Sequence, residues 1–285
     1  DESAPQWFGG LLVSSPRYTY LTARLKRLLS KNLYYISLHF KNGLFRPLGY
    51  ELEFKEKGDL PPVTLYTGDG APVKLTGKVD RADVYQTPDG SWIRIVDYKS
   101  GPKDLYINDV YYGLNLQLVT YLDAMCNGEE PAGIFYFNVT DPYTRTEVAL
   151  DGTELAEALR KNYKMKGLVL ANRAVLYAMD QDCDGGSDLI PAYVKKDGDV
   201  SGSVASAEEF SLLRKQVRSC LKQLACQIEQ GRVDVLPVKT KREFACTYCE
   251  FSALCGYEGK TGRCRKLTDL SKEEILRRMK EGDNG

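Results

Sequence analysis

Residues 75–101 read LTGKVDRADVYQTPDGSWIRIVDYKSG and contain two runs in which apolar and polar side chains alternate. The runs cover residues 75–85 and 92–98, and the turn-forming sequence Thr-Pro-Asp-Gly lies between them at residues 87–90. Two alternating runs around a short turn predict a β-hairpin. We therefore expect this hairpin to be the centre of the fold.

The predicted hairpin carries three charged side chains that can act together. Asp97 and Lys99 are two residues apart on one strand, so they share a face, and the hairpin can bring Asp80 beside them. Two carboxylates and an ammonium on one sheet face can hold Mg²⁺ and orient a water against a phosphodiester. An exposed cross-strand charge pair is the alternative interpretation. The apolar residues 93–96 directly before Asp97 favour a site over a surface pair.

The segments around the hairpin predict a mixed α/β domain. Helical spacing of apolar residues marks residues 17–40, 108–126, 154–178 and 207–231, whereas residues 49–54, 63–67 and 132–139 have the composition of strands. The run AGIFYFNV at residues 132–139 suits a buried strand next to the hairpin. Strands alternating with helices in this way indicate an α/β core.

The chain divides by composition into four parts. We expect a lead-in over residues 1–16, the core over residues 17–178, an exposed loop rich in Gly, Asp and Ser over residues 179–205, and a helical, Cys-rich C-terminal extension over residues 206–285. Because the chain begins with Asp1 rather than Met, we expect it to be a piece of a longer protein.

Charge and hydropathy exclude several classes of protein. The 39 basic and 39 acidic residues balance, which argues against nucleic-acid binding through bulk charge but leaves room for a local basic channel. The sequence has neither an apolar run of membrane-spanning length nor a signal peptide, so we expect a cytoplasmic protein without a membrane anchor. In that setting, eight cysteines favour a metal or cluster site plus free thiols over disulfides.

Three cysteines near the C-terminus form a dense motif. Cys246, Cys249 and Cys255 give the spacing C-x₂-C-x₅-C, which can fold a loop around one soft metal centre. Spacing alone leaves zinc and iron–sulfur open, and Cys264 could complete a tetrahedral zinc site. Reduced thiols without any metal are the third possibility.

The motifs together resemble those of a known nuclease family. The sequences Gly77-Lys78-Val79-Asp80-Arg81, Asp97-Tyr98-Lys99 and Gln117-x-x-x-Tyr121 resemble the motifs of the PD-(D/E)XK nuclease superfamily, in its RecB-like branch. The cysteine motif narrows the resemblance to the AddB-like nuclease domains of helicase–nuclease complexes. The resemblance implies a restriction-endonuclease-like α/β core with a mixed central sheet flanked by helices.

The resemblance also implies an activity and partners. It implies a Mg²⁺-dependent DNA exonuclease that acts in DNA recombination and double-strand break repair. The substrate would be single-stranded DNA threaded from the motor of an AddA-type helicase–nuclease subunit. The sequence has no G-x-x-x-x-G-K-[ST] motif, so ATP would be bound elsewhere in such a complex.

Within the resemblance, the hairpin residues take roles at a metal. Asp80 and Asp97 would bind Mg²⁺, with the Tyr98 carbonyl as a further ligand. Lys99 would position the attacking water or stabilise charge on the phosphate. Glu51 matches a glutamate near the active site of related nucleases that sometimes contacts metal, while a solvent-facing strand is its alternative interpretation.

Two further residue types complete the implied site. Gln117 and Tyr121, four apart on one predicted helical face, would hold the DNA strand or brace the metal site. RecB-like nucleases often take a metal ligand from a histidine on a helix before the sheet. We do not assign that role to His39, the only histidine, because that helix generally lies further upstream.

The cysteine motif implies a cofactor through the same resemblance. AddB-like domains hold a structural [4Fe–4S] cluster, and Cys246, Cys249 and Cys255 match three of its ligands. The fourth would precede residue 17, where this chain has no cysteine, so either it lies outside this chain or Cys264 substitutes.

Two rival functions stay open at this point. The same fold can serve as a non-catalytic, cluster-stabilised module that binds DNA or docks onto a partner protein. The other rival is a zinc-binding module joined to an unrelated α/β domain. The complete set of Asp80, Asp97 and Lys99 argues for the nuclease, since a scaffold needs none of them.

Overall fold

A computed structural model describes residues 10, 12, 14–141, 159–247, 249–257 and 263–282. Most of the lead-in predicted for residues 1–16 lies outside this range. The helices are α1 (Pro16–Lys41), α2 (Ile107–Tyr111), α3 (Gln117–Met125), α4 (Arg173–Met179), α5 (Ala207–Glu229), α6 (Ser252–Cys255) and α7 (Lys272–Glu281). The strands are β1 (Arg46–Phe54), β2 (Val63–Tyr66), β3 (Pro72–Leu75), β4 (Gly77–Thr87), β5 (Gly90–Lys99), β6 (Glu130–Asn138), β7 (Lys166–Leu170), β8 (Ala192–Val194), β9 (Val200–Gly202), β10 (Val204–Ala205), β11 (Val238–Lys239) and β12 (Arg265–Lys266).

The chain forms two compact units, each built from several segments. The first unit contains Asp1–Leu52, Lys78–Leu105 and Met125–Ala207, and the second contains Glu53–Gly77, Tyr106–Ala124 and Glu208–Gly285. These units cut across the four parts predicted from composition. No helix in the described part of the chain is long and apolar enough to cross a membrane.

A six-stranded mixed sheet in the order β1-β4-β5-β6-β7-β10 forms the core of the first unit. Strands β4 and β5 are antiparallel, β5 and β6 parallel, β6 and β7 antiparallel, and β7 and β10 parallel. With its flanking helices, this sheet confirms the predicted restriction-endonuclease-like α/β core. The strand predicted at residues 132–139 is β6, and it lies beside the hairpin as expected.

The central hairpin forms because its turn and its alternation agree. Arg81 pairs with Val96, and the ladder runs to Thr87 opposite Gly90, so Pro88 and Asp89 make a two-residue turn. The Thr87 hydroxyl accepts a hydrogen bond from the Asp89 backbone N–H at 3.2 Å. Strand β5 is buried from Ile93 to Asp97, as expected for a strand with neighbours on both sides.

The helix predicted over residues 108–126 is instead two helices, α2 and α3. The break follows from Gly113 and Asn115, whose φ angles of 81° and 52° lie in the left-handed region. Glycine and asparagine are the residues that adopt this conformation most readily. The apolar spacing continued across the break and so hid it.

The helical prediction for residues 154–178 is wrong where it can be examined. Residues 154–158 lie outside the described residues, residues 166–170 form strand β7, and only α4 is helical as expected. Gly167 permits the strand, since a Cβ there would lie 2.0 Å from the Ile134 carbonyl oxygen of β6. A short apolar run such as Gly-Leu-Val-Leu does not distinguish strand from helix by its spacing.

Residues 179–205 are not the exposed loop that their composition predicted. Cys183, Ile190, Ala192 and Val194 are buried, and β10 extends the main sheet beside β7. Gly, Asp and Ser mark turns, and here the turns connect short buried pieces rather than a surface excursion.

The second unit packs helices α2, α3, α5 and α7 with the β2–β3 hairpin. Helix α5 occupies the predicted amphipathic segment and buries Phe210, Leu213 and Val217. A parallel pairing of β11 with β12 connects the two sides of the cysteine segment.

Candidate active site

Asp80, Asp97 and Lys99 lie on one face of the β4–β5 hairpin. The register that puts Arg81 opposite Val96 puts Asp80 next to Asp97, and residues opposite each other in an antiparallel pair share a face. The Lys99 Nζ lies 2.6 Å from Asp97 Oδ2, and 5.7 Å from the centre of the Tyr136 ring. The structure therefore brings together the three charges that the sequence analysis singled out.

The backbone ladder ends where this site begins. Among the described residues, pairing between β4 and β5 stops at Arg81 and Val96. One residue further on, the Tyr98 backbone N–H donates to Asp80 Oδ2 at 2.8 Å. A side chain thus replaces the main chain as the acceptor, which fixes the Asp80 carboxylate against the strand that carries Asp97.

Asp97 is buried with less compensation than a carboxylate normally has. Its side chain is 1% exposed, and its Oδ1 has no hydrogen-bond partner among the described residues. Burial raises the pKa of Asp97, the ion pair with Lys99 opposes this, and the charge of Asp80 adds to the increase.

An under-compensated carboxylate beside a second one fits a divalent cation. Hard cations such as Mg²⁺ take carboxylate and carbonyl oxygens, and an ion here would satisfy Oδ1 of Asp97 and relieve its repulsion with Asp80. In the described part of the chain, no group of three or more His, Cys, Asp or Glu side chains is arranged as a metal site. The site offers two carboxylates, so any further ligands would come from the main chain and water.

Glu51, the third predicted metal-binding carboxylate, has a different partner. It forms an ion pair with Lys78, and its side chain is 62% exposed. Its φ of 54° is left-handed, which is uncommon for a residue other than glycine. Strand β1 is thus distorted at Glu51, and metal contact by this residue stays a prediction.

Gln117 and Tyr121 belong to the second unit, at the start of α3. Gln117 Nε2 donates to the Tyr121 hydroxyl at 2.7 Å, and the Tyr121 ring meets Phe54 edge-on with centroids 5.8 Å apart. Their predicted common helical face is present, while their roles stay predictions.

The sequence analysis missed how α3 is held within the second unit. Asp123, near the end of α3, accepts hydrogen bonds from Arg214 Nε at 2.9 Å and Arg218 Nε at 2.5 Å, both on α5. Arg214 and Arg218 are four apart, which is the spacing that aims two side chains at one partner. This spacing was visible in the sequence, but its partner was not.

The opposite face of the hairpin carries a buried ionic cluster that was also missed. Asp83 accepts from Arg81 Nε at 2.7 Å, from Arg81 Nη2 at 2.5 Å and from Arg94 Nε at 2.8 Å. Burial alone would raise the pKa of Asp83, but Arg94 and Arg81 outweigh it and hold the pKa below its usual range. Arg81 Nη1 also donates to the Tyr98 hydroxyl at 3.1 Å.

His39 lies beside this cluster rather than in the carboxylate site. It is 2% exposed and meets Phe137 edge-on with ring centroids 6.3 Å apart. Burial, followed by the charges of Arg94 and Arg81, lowers the pKa of His39 to about 3, so the imidazole is neutral.

The cysteine segment lies in the second unit, and the chain's cysteines form no disulfide among the described residues. Desolvation raises the pKa of Cys246, and the neighbouring thiols Cys249, Cys255 and Cys264 raise it further. Cys264 is therefore near the three motif cysteines, as the substitute fourth ligand should be. Tyr248, within the motif, lies outside the described residues.

Comparisons with known proteins agree with the geometry of the hairpin. The sequence profile of the PD-(D/E)XK nuclease superfamily matches residues 3–256. Three curated relatives are each named as a subunit of an ATP-dependent helicase/deoxyribonuclease, the one designated B. The Acetivibrio thermocellus protein is 40% identical over 96% of this chain, the Clostridium kluyveri protein 40% over 94%, and the Clostridium tetani protein 39% over 99%.

This chain spans about a quarter of the length of these relatives, namely 25%, 24% and 26%. The profile, by contrast, covers most of the chain, including both strands of the central hairpin. The chain belongs to the PD-(D/E)XK nuclease superfamily.

Proposed function

We propose that this chain is the Mg²⁺-dependent DNA exonuclease domain of an AddAB/RecBCD-type helicase–nuclease, acting in recombination and double-strand break repair in the cytoplasm. The observation that carries the proposal is the buried Asp97, with one unpartnered carboxylate oxygen, an ion pair to Lys99 and a neighbouring Asp80. Family membership and the printed names of the relatives support the substrate and the complex.

The hairpin residues would hold the cation and the water. Asp80 and Asp97 would bind Mg²⁺ with the Tyr98 carbonyl, and Glu51 would join them after leaving Lys78. When bound, the ion neutralises charge on the phosphate and lowers the pKa of a bound water. Asp97 holds the Lys99 ammonium at 2.6 Å, so Lys99 is placed to donate to the attacking water or to a phosphate oxygen.

The remaining candidate residues would act on the DNA and the fold. Gln117 and Tyr121 would hold single-stranded DNA delivered by an AddA-type subunit. Cys246, Cys249 and Cys255 would bind a structural [4Fe–4S] cluster, with Cys264 as the fourth thiol in this chain and zinc as the alternative metal. Iron and zinc analysis of the purified protein distinguishes these two.

Cleavage of single-stranded DNA, labelled at either end, tests the proposal across a Mg²⁺ titration. We expect Asp80→Ala to abolish cleavage, because it removes a metal ligand. Lys99→Ala should lower kcat by about 10²–10³-fold, which is typical for losing one group that stabilises transition-state charge. Circular dichroism checks that both variants are folded.

The controls are Asp89→Ala, in the exposed turn of the same hairpin, and Lys196→Ala, an exposed lysine in the first unit. Both should cleave like the wild type. Unchanged cleavage by Asp80→Ala would reject the nuclease assignment. DNA binding by the wild type without any metal-dependent cleavage would favour the non-catalytic module instead.

A further inference from the structure

The buried cluster of Arg81, Asp83 and Arg94 is expensive for a fold to maintain. All three side chains are at most 3% exposed, and they leave one net positive charge inside the first unit. Arg94 Nη1 and Nη2 have no hydrogen-bond partner among the described residues. Replacing a buried ion cluster by apolar residues of similar volume is often neutral or stabilising. Stability alone is therefore a poor explanation for this cluster.

The cluster is rigid, because each guanidinium is held from two sides. Arg81 grips both oxygens of Asp83 and lies 4.5 Å from the centre of the Phe40 ring. Arg94 donates to Asp83 and lies 4.8 Å from the centre of the Phe45 ring. Hydrogen bonds fix the planes of the guanidinium groups, and the aromatic rings cover them.

The cluster reaches the carboxylate site through Tyr98. Arg81 Nη1 donates to the Tyr98 hydroxyl at 3.1 Å on one face, while the Tyr98 N–H donates to Asp80 Oδ2 at 2.8 Å. Tyr98 also stands between Asp97 and Lys99 in the sequence. The link forms where the backbone ladder between β4 and β5 has already ended at Arg81 and Val96, so side chains hold the strands together there.

We propose that Asp83, Arg81 and the Tyr98 hydroxyl form a positioning relay that holds the Asp80 carboxylate and the Tyr98 main chain ready for the cation. The proposal rests on the proposed function, since it assigns these residues to the same site. None of them would touch the phosphate through its side chain. They act by fixing the end of β5, so that metal binding does not have to order it.

Tyr98→Phe tests the relay, because it removes the hydroxyl and leaves the backbone N–H and carbonyl in place. The readouts are Mg²⁺ binding by calorimetry without DNA, the rise in Tm caused by Mg²⁺, and the Mg²⁺ concentration that gives half-maximal cleavage. We expect Mg²⁺ affinity to fall about 3–10-fold, near the low end of the loss for residues that orient metal ligands. Cleavage at saturating Mg²⁺ should change less.

Tyr85→Phe is the matched control, since Tyr85 lies on the same face of β4 as Arg81 and Asp83 and stacks on Trp92. It should bind Mg²⁺ like the wild type. Wild-type Mg²⁺ affinity in Tyr98→Phe would overturn the relay, even if the metal-free Tm fell, because that result means a structural role only. Wild-type binding and cleavage in Asp80→Ala would instead overturn the proposed function.

Discussion

The two faces of the central hairpin each bury an aspartate, and the two aspartates are in opposite electrostatic states. Asp83 has three charged hydrogen bonds from Arg81 and Arg94, and its pKa is lowered. Asp97 has only the Lys99 ammonium, lies near Asp80, and has a raised pKa. The difference teaches that Asp83 already has its counter-charges, whereas Asp97 has capacity for a cation.

Removing the charge of Asp83 should have the largest effect on stability. Asp83→Asn leaves two buried guanidinium groups without an anion, and breaking a buried ion pair from one side typically costs about 3–5 kcal/mol. Urea unfolding at neutral pH measures this loss. Asp89→Asn, in the exposed turn, is the control. A loss below about 1 kcal/mol, as for a surface pair, would mean that the cluster is not the tightly held face of the comparison.

The positive charge on the Asp83 face should also make stability depend on pH through His39. Its folded pKa of about 3 lies below the ordinary histidine value of 6.5, so the unfolded chain binds a proton that the folded chain refuses. Stability should therefore fall as the pH is lowered from 6.5 to 3, by about 2 kcal/mol at pH 5.

Urea unfolding between pH 7 and pH 5 of the wild type and His39→Leu checks this contribution. His39 is the only histidine, so the difference between the two slopes isolates it. Equal slopes would mean that the imidazole is protonated in the folded protein, which would remove the electrostatic contrast between the two faces.

Neutralising Asp97 should have the smallest effect on stability, and with the opposite sign. A raised folded pKa means that the folded chain binds protons more readily than the unfolded one, so the ionised carboxylate opposes folding at neutral pH. Asp97→Asn should therefore unfold at a higher urea concentration in EDTA while losing cleavage. Lys99, which is 30% exposed, can be solvated after losing its partner. A destabilised Asp97→Asn would show that both faces are fully compensated.

The hairpin and its charged face could be predicted because local patterns determine them. The alternation through Asp80, Asp97 and Lys99 fixes which side chains share a face, and Pro88-Asp89-Gly90 fixes the turn. Family motifs fall on the same residues. Sequence and structure agree here because short-range geometry decides the arrangement.

Long-range partners explain what could not be predicted. Arg81 and Asp83 also alternate on β4, but their buried position depends on Arg94 and on the aromatic rings that cover the guanidinium groups. Strand β7 depends on Gly167 approaching β6, which no local pattern reveals. The ion pair of Glu51 with Lys78 likewise depends on strand order rather than on spacing.

The hydrogen bond from Tyr98 to Asp80 has a consequence for which ion the site prefers. It occupies Oδ2 of Asp80, and Lys99 occupies Oδ2 of Asp97, so each carboxylate keeps one oxygen for coordination. Ca²⁺ favours six to eight ligands and often takes both oxygens of a carboxylate, whereas Mg²⁺ accepts one from each and keeps several waters. Monodentate acids of this kind discriminate by coordination number, without any need for a cage of fixed size.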